Sequence, residues 1–405
     1  MSDNRREHLY DLQGVHLDAY DAIVRPDRVF AVRTYTLRRW TPILGATGFW
    51  LLTALQQSCY RNPKGSNWCA VGRETLARES ALSEASVHRY LHADEYVSSG
   101  LIHWVQVEER RKYRSRMGRV TQAPNLYQVV MDAPLAPVDQ RGLAQFLWEN
   151  GAVAGTPAKE IEPALNRLIS FKLADLLDLL DEYATRFQPP VAWSEDAFYP
   201  TVADVVSALD VRVSDDDEER SRFLDLCSQL QQAFVGQVYL GTQYFRQQWA
   251  PVLGHKLALV VVQLRSRCFW SDDTLRDEVS VGTKVLAEAS GCNPGWLRAV
   301  SKTTQTQDFF TTTPGSGRRL PTFKVTLREP LTEVDEAKYQ TLLNANKVIP
   351  DTGQLGLPDL DADDLDASGE HLKTLGASGE RLGTDLDASG EHLKTLGASG
   401  ERLGT

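Results

Sequence analysis

Cysteine is scarce and scattered, with five in 405 residues at Cys59, Cys69, Cys227, Cys268 and Cys292 and no Cys-x-x-Cys pair. That spacing offers neither a zinc framework nor a disulfide scaffold, so the thiols read as buried side chains. Long apolar runs are also missing. No stretch approaches the roughly 18 residues that span a bilayer, and the N-terminal MSDNRREHLYDLQG lacks the apolar core of a signal peptide. The expectation is a cytoplasmic protein with no membrane partner. The sequence further lacks a G-x-x-x-x-G-K-[ST] phosphate loop, a dinucleotide-binding glycine pattern, and a His-x-Glu followed by paired cysteines. Its eight histidines are dispersed, which leaves no His pair beside carboxylates or beside a tyrosine. His371 and His392 recur only because the tail that holds them is repeated. Neither catalysis nor a cofactor or metal is expected.

Charge of one sign dominates the whole chain but not its parts. The net charge is −10, which argues against nucleic acid until it is divided. Between Phe30 and Met131 there are 14 Lys/Arg against 7 Asp/Glu, and between Gln243 and Pro330 there are 12 against 7. The acidic excess lies elsewhere, chiefly from Asp132 to Thr242 and after Pro330. The local field near each basic island, not the total, sets its attraction for phosphates.

The two islands are copies of each other. WTPILG at Trp40–Gly45 returns as WAPVLG at Trp249–Gly254, and Leu55 and Cys59 recur in step as Leu264 and Cys268. After a one-residue slip AVGRETLARES lies against SVGTKVLAEAS, sharing Val71/Val281, Gly72/Gly282, Leu76/Leu286, Ala77/Ala287 and Ser80/Ser290. YQVVMDAP (Tyr127–Pro134) matches FKVTLREP (Phe323–Pro330) at their ends. A duplication is the economical explanation.

In the first copy ILGATGFWLLTALQQSCY reads as an apolar helix, RNPKGSN as a turn, VGRETLARES as a short helix, and ALSEASVHRYL as a turn and a second helix. Ser83 is a suitable N-cap, and Val87 with Leu91 forms an i,i+4 apolar pair. LIHWVQV (Leu101–Val107) and NLYQVVM (Asn125–Met131) alternate as strands do. In the second copy PVLGHKLALVVVQLRSRCFW, VGTKVLAEAS and NPGWLRAV are the three helices, the last capped by Asn293 with Pro294 at its first position. DFFTTT and PTFKVTL then form a hairpin around PGSGRRL. Helix, helix, turn, helix, hairpin is the order of a winged helix-turn-helix.

The middle of the chain is helical in pattern. EIEPALNRLISFKLADLLDLLDEY carries Leu165, Leu168, Ile169, Leu176, Leu177 and Leu180 near helical spacing, a core stripe or a dimer surface. SDDDEERSRFLDLCSQLQQAF starts with Ser214 as a cap and with acids suited to the positive helix end. The tail repeats DLDASGEHLKTLGASGERLGT without change, as Asp364–Thr384 and Asp385–Thr405. Its Gly, Ser and acid content predicts disorder.

A helix of this size fits the major groove of B-DNA, where short polar side chains and Arg reach base edges while a basic wing follows phosphates. Ser86 and Arg89 lead the base-contact candidates, with Ser83, Ala85 and His88 beside them. Arg110, Arg111, Lys112, Arg114, Arg116 and Arg119 suit backbone contact. In the second copy Trp296, Arg298 and Lys302 occupy the matching helix, and Arg318 and Arg319 the hairpin tip. Trp296 either packs under the wing or against a partner, or stacks on DNA.

LLTALQQSCYRNPKGSNWCAVGRETLARESALSEASVHRYLHADEYVSSGLI resembles the winged helix-turn-helix domains of plasmid replication initiators and phage replisome organisers. The features that carry the resemblance are Leu76-Ala77, Ser83, Val87-His88-Arg89-Tyr90-Leu91 and Gly100-Leu101-Ile102. It covers Leu44–Met131, with a weaker copy over Val252–Leu327, and the acidic insert and NPGWLRAV depart from the usual pattern. The resemblance implies a sequence-specific protein of double-stranded DNA, a plasmid-type replication initiator on repeated origin sites. A transcriptional regulator or a DNA partition or bridging protein is the neighbouring alternative, and a winged-helix interaction adaptor the alternative of another class. Expected partners are double-stranded DNA, a second copy of the chain, and replication or partition proteins, with a nucleoid or plasmid address in the cytoplasm.

The expected fold class is mainly α with small β-hairpins (α+β): two winged helix-turn-helix domains separated by a helical insert, with a disordered repeat tail. The expected boundaries are an N-terminal arm at 1–29, domain 1 at 30–135, an acidic helical region at 136–242, domain 2 at 243–331, a linker at 332–363 and the tail at 364–405.

Overall fold

The computed structural model describes residues 17–62, 67–109, 112–114, 120–122, 124–188, 190, 193–194, 196–271, 274–316 and 319–347. The repeated tail and the first sixteen residues lie outside that set.

The first module opens with helix α1 (17–24), strand β1 (Val29–Arg33), a π-helical turn at Thr36–Trp40 and helix α2 (Thr41–Tyr60). Strand β2 (Trp68–Val71) and helices α3 (Arg73–Ser80), α4 (Glu84–His92) and α5 (Asp94–Ser98) follow. Next come β3 (Val105–Glu109), the short ribbon β4 (Lys112–Arg114) with β5 (Val120–Gln122), then β6 (Asn125–Val129) and helix α6 (Pro137–Glu149). Four helices fill the middle of the chain: α7 (Ala158–Ile169), α8 (Leu173–Thr185), α9 (Val202–Ala208) and α10 (Asp217–Val235). The second module then repeats the first. It runs β7 (Val238–Thr242), a π-helical turn at Phe245–Trp249, α11 (Ala250–Arg265), a hairpin β8 (Phe269–Ser271) and β9 (Thr274–Arg276), β10 (Glu278–Ser280), α12 (Thr283–Ala289), α13 (Pro294–Val300), α14 (Thr304–Gln307), β11 (Phe310–Thr313), β12 (Thr322–Val325) and α15 (Glu333–Lys347). The architecture is mainly helical with small antiparallel sheets, of the α+β kind expected.

The copies share topology and individual hydrogen bonds. Both carry a three-stranded antiparallel sheet with the last strand in the middle, in the orders β2-β6-β3 and β10-β12-β11. The repeated hexapeptide is a corner held by its tryptophan. Trp40 Nε1 donates to the Pro134 carbonyl at 2.7 Å, and Trp249 Nε1 donates to that of Pro330 at 2.6 Å. Each indole also meets a second aromatic edge-on, Trp40 against Trp104 and Trp249 against Phe309. Gly45 and Gly254 kink α2 and α11 with φ of +63° and +73°, a conformation glycine adopts without a Cβ clash. Tyr35 and Tyr244 repeat a third device: each hydroxyl donates to an aspartate, Asp139 at 2.6 Å and Asp335 at 2.8 Å. Each also accepts a backbone N–H, from Ala136 and Thr332. Burial pushes the Asp139 carboxyl up to about 6, against the pull of Arg39 and the Tyr35 hydroxyl.

The two modules are not separate bodies. β1 pairs with β7 antiparallel, and Ala31 stands opposite Leu240. Those residues occupy the same place when Trp40 is set against Trp249, so the ribbon is centred on a local two-fold. The helix before each strand crosses to the other module. Tyr20 of α1 donates to the Glu329 carbonyl at the end of the second module, and Gln231 of α10 donates to the Ala133 carbonyl at the end of the first. Phe30, Val32, Phe49 and Trp50 of the first module are buried in one cluster with Leu257, Val261 and Phe309 of the second.

Several expectations need correction. The domains set at 30–135 and 243–331 share a ribbon and a core, because strands only five residues long gain stability by pairing with each other. The stretch read as a linker opens on α15, the counterpart of α6. Leu101–His103 is a 3-10 turn rather than strand, and β3 begins only at Val105. Asp216, not Ser214, caps α10, accepting from the Glu218 and Glu219 amides, while the Ser214 hydroxyl accepts from Asp216. The leucine stripe breaks into α7 and α8, and Leu165, Leu168, Leu176, Leu177 and Leu180 are all core.

Candidate nucleic-acid interface

In each module two short helices meet at a tight turn. After α3 comes Ala81 and, two residues past α12, Gly291, with left-handed φ of 55° and 59°, and in each the N-cap of the next helix stands two residues further on. Ser83 caps α4 by accepting the Ser86 amide at 3.1 Å, and Asn293 caps α13 by accepting the Gly295 amide at 2.7 Å. Each cap stabilises its helix start by about 1 kcal/mol. Val87 and Leu91 anchor α4 in the core and Leu297 anchors α13, which sets the opposite face of each helix outward.

That outward face carries several of the expected residues. Ala85, His88 and Arg89 are exposed on α4. Arg89 meets Glu95 at 3.5 Å, with both side chains open to solvent, a pair weak enough to yield to a ligand. Ser83 and Ser86 are placed otherwise, since their hydroxyls bond each other at 2.9 Å and hold the helix start. His88 and Arg89, with Ala85 beside them, are the α4 candidates left on the outward face. His92, which helical spacing also sets near the outward face, lies one turn beyond His88, half-buried, with the two rings tilted against each other at 5.2 Å. Arg73 and Arg78, exposed on α3, were not singled out from the sequence.

Lys112 lies in β4, opposite Gln122, and Arg114 opposite Val120, so both belong to the ribbon that prolongs the sheet. Arg110, Arg111, Arg116 and Arg119 fall outside the described residues, as does Arg318. In the second module Arg298, Lys302 and Arg319 are exposed, and Trp296 keeps 38% of its surface open. Its backbone amide donates to Asn293 Oδ1 at 3.4 Å as part of the α13 cap.

The turn of each pair is gripped by the other module. Arg246 reaches from the second module to the Glu79 carboxylate and, at 3.0 Å, to the Glu79 carbonyl at the end of α3. His255 Nε2 lies 2.6 Å from the Ala81 carbonyl. In the matching place Thr41 of the first module donates to the Ala289 carbonyl at the end of α12, where Gln263 of the second module donates as well. Burial alone would raise the Glu79 carboxyl, but Arg246 and then Arg61 outweigh it and hold it below its ordinary 4.5. The two outward helices are thus carried on one framework.

No His/Cys/Asp/Glu group suited to a metal ion occurs among the described residues, and no helix there is long and apolar enough to cross a membrane. Comparison with protein-family models, curated proteins and solved structures gives no match.

Proposed function

We propose that both modules are winged helix-turn-helix domains and that the chain binds double-stranded DNA sequence-specifically, as a plasmid-type replication initiator. The observation that carries this reading is the repeated unit itself. A capped helix with an outward face follows a tight turn beside a three-stranded sheet, twice, about a local two-fold through Ala31 and Leu240. A helix so presented enters a major groove, and two related by a two-fold suit half-sites of opposed direction. The surrounding basic islands supply phosphate attraction despite the acidic total.

Two measurements test it. The full chain is expected to bind duplex DNA with affinity that falls on the order of 10-fold or more between low and physiological salt, as released counterions require. No binding at low salt, or indifference to salt, removes the reading. On a site selected from a random pool, Arg89→Ala is expected to cost about 1–3 kcal/mol of discrimination against a scrambled site, whereas Arg111→Ala weakens both alike. Equal losses on both duplexes for Arg89→Ala would make it a phosphate contact. Iterated direct repeats beside the gene separate an initiator from a transcriptional regulator or a partition protein.

A further inference from the structure

The two outward helices differ in chemistry at matched positions. Where the first module has Thr75 and Ser86, the second has Val285 and Trp296, aligned through the buried pairs Leu76/Leu286 and Val87/Leu297. Val285 is 53% exposed, and Leu320 on the hairpin of the second module is 54% exposed. These two side chains converge over Gly282, where a Cβ would lie 3.8 Å from one and 3.9 Å from the other. Trp296 rises from the first turn of α13, which packs on α12, and no hydrogen bond holds its ring among the described residues. Arg298 on the helix, Lys302 just past its end and Arg319 on the hairpin add exposed cations.

Exposed apolar groups of this size on a binding face indicate a ligand that covers them. A fully paired major groove offers an indole and two aliphatic groups little beyond thymine methyls. An opened base step offers much more: a base face to stack on and an apolar gap to fill. The flanking cations suit the phosphates on either side of such a step.

We propose that the second module holds DNA by an apolar wedge, with Trp296 stacking on a base of an opened step and Val285 with Leu320 shielding it, while the first module reads paired bases. This rests on the DNA-binding reading above and assigns to the second module a distorted or unpaired base as its ligand. A base already out of the stack spares the cost of opening, so a preference for such DNA is the signature.

The test uses the full chain and two duplexes of the same selected sequence, one fully paired and one with a single looped-out base in the half-site of the second module. The wild-type protein is expected to bind the looped duplex on the order of 10-fold more tightly, the scale of one base–aromatic stack. Trp296→Ala should erase the preference, and Trp296→Phe should retain most of it. Equal binding of both duplexes by the wild type overturns the wedge and leaves the face to a protein partner. So does a preference that survives Trp296→Ala. Failure to bind either duplex at low salt sinks the DNA-binding reading itself, a distinguishable result.

Discussion

Arg246→Met is expected to lower the stability of the whole protein by about 3–5 kcal/mol, the cost of leaving one partner of a buried ion pair alone. The Arg246 side chain is 1% exposed and that of Glu79 13%, and the guanidinium also bonds Gln243 and the Glu79 carbonyl. Removing it leaves a largely buried carboxylate and an unsatisfied carbonyl at the end of α3. Denaturant unfolding measures the loss. Adding Glu79→Gln should recover part of it, since a neutral pair no longer buries a lone charge, and the double-mutant cycle isolates the coupling. The pH dependence supplies a second readout. Glu79 is held below 4.5, so its contribution is full above the unfolded value and is lost as pH falls through the folded one. In Arg246→Met only Arg61 still opposes burial, so the Glu79 carboxyl rises from its wild-type position and acidification should cost the variant less at this site than it costs the wild type. A loss under about 1 kcal/mol, within the range of exposed pairs, would show that the two modules do not depend on this grip.

Gly142→Ala should be comparably severe. Gly142 is buried in α6 where that helix crosses α8, and a Cβ there would overlap the carbonyl oxygen of Leu180. Backbone cannot swing aside as a side chain can. The helices must separate, opening the layer formed by Leu143, Leu147, Leu176 and Leu180. The gain in helix propensity of about 1 kcal/mol is far smaller than overpacking plus lost contact, which together reach about 3 kcal/mol or more. A melting temperature equal to that of the wild type would mean that α6 and α8 slide apart without penalty.

Much of this fold was legible because the chain states it twice. The Trp40/Trp249 corner, the Asn293 cap with Pro294, and the Ser83 cap all stand in the sequence as local signals, each completed within a few residues. What escaped was non-local. VFAVR and VYLGT are short runs whose partner lies more than two hundred residues away, so nothing nearby announced that β1 would pair with β7. The swap of α1 and α10 follows from that pairing and was hidden with it. Nothing near Glu79 or Arg246 in the sequence marked them as partners, since they meet only where the turn of one module is placed against the other. At the candidate interface, Ser83 and Ser86 have the right chemistry for base edges, but the hydroxyl that makes a good cap is thereby spent on the helix.

The ribbon between β1 and β7 has a consequence for how the protein can change. In a dimer of identical subunits every substitution is written twice, so a residue that improves one half-site contact must be tolerated in the other. Here each is written once. Ser86 and Trp296, or Thr75 and Val285, have diverged without penalty to their counterparts, while the paired strands keep the halves together at any dilution. A molecule built this way has a head and a tail. Under the proposed DNA-binding function it would point, setting one flank of its site apart from the other with a single chain.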